Sequence, residues 1–411
     1  MNASYRLLFV LALLACTIAP PLAAGTEPLD YRRQILRVQG EAREVRVPSG
    51  YRLELLTEAL DGPRLLTFGP DGDLFIGSRS GAVYRLPPPY TRPTVLVTLD
   101  DYPHSVAFRD EEILIAQTGG LYRAPYKPGQ DAIPRDSLQR VAPLPSGGSH
   151  ASRTVRVGPD GLIYLSLGIS GNCPDEYLDA TYPFDQRRGG VLVLREEDPK
   201  VRWESFASGL RNPVGFDWQP ATGALYASNN GPDHLGFEQP PEYFSRLQPG
   251  SFHGMPWFQY DGRRIRRDRC IERKSPRPLQ AVAAPEVTFP ARNAPMAVAF
   301  VPQHGMDERL TGDAIVALHG SWATRPSGGF TGPKASRRPP KVVVVRFGNG
   351  AAQRVDDLIT GFQLANGDRW ARPVGLAIGP DGALYFTSDG GANALFRLVR
   401  SQGADGGEQP G

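Results

Sequence analysis

Val374–Arg397 reads VGLAIGPDGALYFTSDGGANALFR: an apolar run, a Gly-Pro-Asp-Gly turn, then a second apolar run broken by Gly390-Gly391. Short runs rich in Val, Ile, Leu, Tyr and Phe, bounded by Gly, Pro and Asp, are strand–turn–strand text. The phrase returns at Arg64–Arg85 (RLLTFGPDGDLFIGSRSGAVYR) and Thr154–Gly168 (TVRVGPDGLIYLSLG). Looser copies stand at Ser105–Arg123, Pro213–Asn230 and Met296–Trp322, so the unit occurs six times. Self-similar strand units at this spacing mark a closed radial array of four-stranded sheets. The expected fold is all-β, a six-bladed β-propeller, with function at the end of the channel where loops crowd.

Six blades of about 40 residues need roughly 240 residues. The chain has 411, and the surplus falls in three insertions, Gly171–Gly190, His234–Phe289 and Thr324–Lys341. Its 40 Pro and 46 Gly suit an all-β chain with many reversals. The 46 Lys plus Arg nearly balance 43 Asp plus Glu, and no basic run is interleaved with aromatics, which argues against nucleic acid as a partner. Tyr51–Glu58 alternates like a strand and is placed to close the ring against C-terminal strands. The expected organisation is an export signal over 1–24, a polar lead-in over 25–50, the propeller over 51–400 and a disordered tail over 401–411.

The signal reading comes from Arg6 followed by the apolar stretch Leu7–Ala15, too short to span a membrane, with small residues before Ala23-Ala24-Gly25. Two outcomes stay open: cleavage near Ala24, or a lipid on Cys16 within Leu13-Leu14-Ala15-Cys16. Either places the chain in a periplasm or outside the cell. Cys173 and Cys270 are the thiols left; in an oxidising compartment a bridge between two long loops is expected, against two unrelated cysteines.

Only six histidines occur. His150 follows Gly147-Gly148 and precedes the strand at Thr154, so at a blade lip it could serve as a general base; a loop histidine bonded to backbone is the competing reading. Arg211-Asn212-Pro213 and Arg372-Pro373 hold equivalent places before the fourth and sixth units. Their forked cations suit carboxylates, or else bridge blades. Gly231-Pro232-Asp233 offers carbonyls beside an acid, as a hard cation needs, or is a simple turn. Trp322, in His319-Gly320-Ser321-Trp322, could stack on a flat ring or pack between blades. Zinc-binding, Walker, Rossmann and nucleophile-elbow patterns are absent from the sequence.

The stretches PSGGSHASRTVRVGPDGLIYLSLG, GLRNPVGFDWQPATGALYASNNGPDHLG, FHGMPWF, ALHGSW and RPVGLAIGPDGALYFTSDGG resemble the glucose/sorbosone dehydrogenase family, from about Tyr51 to Arg400. The family's members are exported six-bladed propellers that use pyrroloquinoline quinone (PQQ) and calcium. The resemblance implies His150 as the base for a sugar hydroxyl. It also implies Arg211, Asn212 and Arg372 at the quinone, Gly231 and Pro232 as carbonyl donors to calcium, and Trp322 and His319 near the cofactor. Lys341 is the candidate for a cofactor-contacting lysine. Where the glucose-oxidising branch has an Asp that orients the His, this chain has Ile169, as the sorbosone-like branch lacks that Asp. The implied chemistry is hydride transfer from an aldose or sorbosone-like substrate to PQQ, with electrons passing to a separate acceptor. The rivals are a calcium-dependent lactonase-type propeller and a non-catalytic binding propeller.

Overall fold

A computed structural model describes residues 28–197 and 200–401. The expected signal over 1–24, the lipid site at Cys16 and most of the 401–411 tail lie outside the described residues. Six blade sheets form the body, each built on four antiparallel strands; that of blade 3 carries a short fifth strand, Ser251–Phe252, added in parallel. Blade 1, for instance, runs Pro63–Phe68, Leu74–Ser78, Ala82–Leu86 and Thr94–Thr98 from the channel outward. The innermost strands of the other five are Pro103–Arg109, Arg153–Val157, Phe216–Trp218, Pro295–Phe300 and Pro373–Ile378. Each falls on one of the six units read from the sequence. The only helical elements among the described residues are five 3-10 turns, so no helix is long and apolar enough to cross a membrane.

The Gly-Pro-Asp-Gly turn recurs for a physical reason. In blades 1, 3 and 6 the last glycine sits at φ +81°, +75° and +74°, the left-handed region where a side chain is strained. The turn's Asp accepts the N–H of the residue two places on: Asp71 from Asp73, Asp160 from Leu162, Asp381 from Ala383. Its second oxygen takes a tyrosine hydroxyl, Tyr164 to Asp160 and Tyr385 to Asp381, both at 2.8 Å. A turn and the strand after it are thereby fixed together.

Apolar clusters fill each blade–blade seam. Phe75, Ile113 and Ile115 join blades 1 and 2; Leu165, Leu192 and Leu114 join blades 2 and 3. The ring closes as the alternation of Tyr51–Thr57 anticipates: that strand pairs with Ala392–Arg400 as the outer strand of blade 6. Closure leaves no open edge between first and last blades.

The 25–50 segment differs from its reading as a polar lead-in. Tyr31–Val38 and Glu41–Pro48 form an antiparallel hairpin. It buries Leu36, Val38, Val45 and Val47 in the seam of blades 5 and 6. One face is polar and exposed, so the two-residue alternation hid among charges.

The first two insertions pack on each other. Tyr177 and Tyr182 from one meet Phe252, Trp257 and Phe258 from the other in a separate apolar cluster. The expected disulfide joins the same two loops, Cys173 to Cys270, with Cα atoms 5.9 Å apart.

Candidate active site

At the loop end of the channel, residues from four blades, the first, third, fourth and fifth, face one cleft of about 200 Å³. His150, Arg211, Asn212, Gly231 and Trp322 all line it, as do Arg64, Arg79, Asp233, Glu242, Arg292 and His319. Ring closure has brought together groups up to 258 positions apart, from Arg64 to Trp322.

His150 reaches the cleft on a pinned loop. Gly147 and Gly148 take φ +80° and +85°, turning the chain sharply. Arg153, wholly buried, donates to the carbonyls of Pro145, His150 and Ser152, each at 2.8 Å. Arg188 donates to those of Ser146 and Gly147 at 2.5 and 3.1 Å. The imidazole Nδ1 lies 2.5 Å from the Ile169 carbonyl oxygen. A carbonyl only accepts, so Nδ1 carries the proton and donates it. Nε2 then holds the lone pair and has no protein partner among the described residues. Burial, followed by the nearby Arg211 guanidinium, pushes the His150 pKa down to about 4, against the pull of the Ile169 carbonyl. The ring is neutral at ordinary pH.

Gly168 makes room for this arrangement. A Cβ there would come 2.5 Å from Asn212 Oδ1 and 2.8 Å from His150 Cβ. Asn212 anchors the neighbouring blade lip through its backbone: its N–H donates to Asn229 Oδ1 at 3.1 Å, and its carbonyl accepts from Asn230 Nδ2 at 3.1 Å. Arg211 is held by Asn172, from the disulfide-linked loop, with Nε to its carbonyl at 3.2 Å and Nη2 to Oδ1 at 3.1 Å.

Across the cleft, a buried chain of partners runs Arg372–His319–Asp389–Arg64. Arg372 Nη2 donates to His319 Nδ1 at 2.7 Å, and His319 Nε2 donates to Asp389 Oδ1 at 2.5 Å. Arg64 Nη1 donates to the other Asp389 oxygen. Burial pushes the His319 pKa down to about 4, even with Asp389 opposing it. Burial also resists the charge on Asp389, but His319 and Arg64 hold its carboxyl well below the usual range. Arg64 is 1% exposed, and its Nε has no partner among the described residues. A buried, unpaired donor beside a cleft is suited to an anionic guest.

Several expectations need correction. Arg372 is not among the residues lining the cleft; its Nε and Nη2 bond His319 and the carbonyls of His319 and Gly320, behind the wall. Lys341 pairs with Asp357 at 2.5 Å and likewise stays outside. The Pro232 carbonyl already accepts from Arg292 Nη1, so a cation stands on that oxygen. Both Asp233 oxygens are also taken, by Arg292 at 2.8 Å and Arg211 at 3.3 Å. Glu242 accepts the Gly231 N–H at 2.6 Å and is pushed up to about 7 by burial. Gly231 and Pro232 with these neighbours do not fit calcium, because the Arg292 and Arg211 cations already stand on the oxygens it would need and would repel it.

Arg64, Arg79, Arg292, Glu242 and Asp389 were not singled out from the sequence. One signal could have found two of them. Arg64 adjoins the Pro that opens an inner strand, at Pro63, as Arg372 does at Pro373, and Arg292 and Arg211 stand three and two residues before Pro295 and Pro213. The cleft therefore carries four guanidinium groups against two carboxyls, one of them half-neutralised. Trp322 stands at its mouth, 38% exposed and 4.5 Å from the Phe330 ring.

The family model and the solved structures that follow put this propeller in a class, the quinoprotein-type sugar oxidoreductases. Within that class the chain belongs to the TrAA12-like family, whose sequence model matches residues 45–250 and 268–400. Solved structures agree on the fold. A calcium structure of the Trichoderma reesei carbohydrate-active enzyme of family AA12 is 17% identical, with a TM-score of 0.72, covering 86% of this chain and 96% of that one. The holo form of the pyranose dehydrogenase PQQ domain from Coprinopsis cinerea is 21% identical, with a TM-score of 0.67 and coverage of 87% and 97%. The apo soluble aldose sugar dehydrogenase of Escherichia coli is 16% identical, with a TM-score of 0.62 and coverage of 85% and 100%. A curated protein of Borreliella burgdorferi, described as uncharacterized, is 24% identical over 371 residues, 86% of this chain and 90% of its own.

Proposed function

We propose that the chain is an exported, PQQ-dependent dehydrogenase of aldose or related pyranose sugars that passes electrons to a separate acceptor. The observation that carries this is the His150 tautomer: a fixed, neutral imidazole presents a lone pair to a cleft walled by guanidinium groups. The Coprinopsis relative's PQQ domain gives the cofactor its name. The unpaired Arg64 donor, with Arg79 and Arg211, suits the carboxylates of such a planar trianion. The cleft is small beside pockets that enclose a drug-sized ligand, about 300 Å³ and upward, so a tricyclic guest would lie partly in the open mouth against Trp322. PQQ, when bound, supplies a two-electron acceptor for a sugar's hydride.

The chain's own residues do the rest. His150 Nε2 takes the hydroxyl proton of the sugar. The Ile169 carbonyl, accepting from Nδ1–H, favours the imidazolium that forms, as a carboxylate does in other sites but without its full charge. Asn172 and Asp233 aim Arg211; Asp389 aims Arg64 and, through His319, ties that wall to Arg372. Export rests on the 1–24 signal and on the Cys173–Cys270 bridge, which an oxidising compartment maintains. The lactonase reading finds little support, since the carboxyls of the cleft are occupied by arginines or neutralised rather than converging on an ion.

The test is sugar-dependent dye reduction by the purified mature chain mixed with PQQ, with and without calcium, over a panel of aldoses and pyranoses. Turnover that disappears in His150→Ala supports the reading. A chain that binds PQQ yet oxidises no sugar in the panel, or a His150→Ala enzyme as fast as wild type, would count against it.

A further inference from the structure

We propose that the Arg292 guanidinium is a built-in cation that takes the place of a metal ion in this cleft, so that the chain binds its quinone without calcium. The inference rests on the quinone reading above and changes what that reading demands of the site.

Arg292 lies in the loop that leads from Val287–Phe289 of blade 4 to Pro295–Phe300 of blade 5. It lines the cleft, yet only 4% of it is exposed. Its backbone stands at φ +69°, and Ala294 two residues on at +51°. Non-glycine residues keep such angles where the surrounding contacts over-determine them. Here the contacts are the side chain's own. Nη1 donates to the Pro232 carbonyl and to Asp233 Oδ1; Nε donates to the Gly236 carbonyl at 3.0 Å; Nη2 donates to the carbonyls of Gly236 and Gln239. All five N–H groups of the fork are used on one loop, 232–239.

A metal at this place would perform two tasks: gather the loop's carbonyls around one centre, and set a positive charge beside an anionic guest. Arg292 performs both. It gathers the carbonyls of Pro232, Gly236 and Gln239 together with the Asp233 carboxylate. Its positive charge is spread over a planar fork that needs no bound ion to supply it. With every donor engaged, it acts on a guest through its field rather than by a hydrogen bond. A dication entering here would have to displace a buried cation from its ligands and then sit among Arg64, Arg79 and Arg211. Like charges in a shielded site repel strongly.

The measurement is binding rather than turnover. The metal-stripped mature chain is titrated with PQQ by calorimetry and tryptophan quenching, once with a chelator and once with calcium; calcium alone is titrated in parallel. Wild type is expected to bind PQQ with dissociation constants that agree within about threefold in the two buffers, and to give no heat with calcium alone. Arg292→Met, verified as folded by near-ultraviolet circular dichroism, is expected to bind about tenfold more weakly in chelator and to recover with calcium. PQQ binding by wild type that needs calcium overturns the inference while leaving the quinone reading in place. Undiminished binding by Arg292→Met in chelator overturns it as well. Absence of PQQ binding in both buffers removes the quinone reading and this inference together. Should Arg292→Met fail to fold, the wild-type titrations decide alone.

Discussion

The proton on His150 Nδ1 is donated to the main-chain oxygen of Ile169, 2.5 Å away. The Ile169 side chain is buried, so what meets the imidazole is its carbonyl, where the resemblance to the glucose-oxidising branch implies an Asp. A carbonyl fixes the tautomer equally well but brings no negative charge, which is one reason the His150 pKa sits low.

His150→Gln should remove the proton acceptor while keeping a polar group against Ile169. Sugar-dependent turnover is expected to fall about 10²- to 10⁴-fold, with PQQ affinity little changed. Steady-state dye assays and fluorescence titration separate the two effects.

The acid side of the rate profile follows from the same ring. Burial and Arg211 set the free-cleft pKa near 4, so kcat/KM should hold from neutral pH down to about 5 and fall as pH drops through about 4. An anionic guest between His150 and Arg211 screens the guanidinium, so the pKa should rise on PQQ binding. Imidazole NMR shifts with and without PQQ check that sign.

Gly168→Ala should cripple the site and spare the fold. The added methyl meets Asn212 Oδ1 and His150 Cβ at less than van der Waals distance. A displacement near 1 Å costs on the order of 10²-fold in rate. Turnover and the thermal midpoint, measured together, distinguish this from general destabilisation.

Asp389→Asn should cost stability more than any other single change at the cleft. It leaves Arg64 buried with its ion-pair partner gone, and one acceptor oxygen where His319 and Arg64 each had their own. Breaking a buried pair from one side costs about 3–5 kcal/mol, readable as a shift in the urea midpoint. Folding should also weaken with acid: buried neutral His253 and His319 have folded pKa values near 4, below the ordinary 6.5. The unfolded chain binds the extra protons, so stability is full above about 6.5 and declines as pH falls toward 4.

Reduction of Cys173–Cys270 should loosen both insertions. Asn172, next to Cys173, holds Arg211, so the loss reaches the cleft. Cys173→Ser with Cys270→Ser is expected to cost about 2–4 kcal/mol and to weaken PQQ binding. Urea titration and fluorescence quenching would expose either part of this as mistaken.

The sequence by itself determined the ring. Six strand–turn–strand units, each with its own glycine-bearing turn, admit few arrangements, because turn chemistry and two-residue periodicity act within a dozen neighbouring residues. The strand that closes the ring, Tyr51–Thr57, and the places of His150 and Arg211 at blade lips were legible for the same reason. Tertiary structure alone decided which arginines face a guest. Arg372 and Arg292 both come within three residues of a blade-opening proline, yet one is turned onto His319 and the other onto the 232–239 loop. A guanidinium goes to whichever carbonyls and carboxylates ring closure leaves within reach, and those lie on other blades, dozens to hundreds of residues away in the chain.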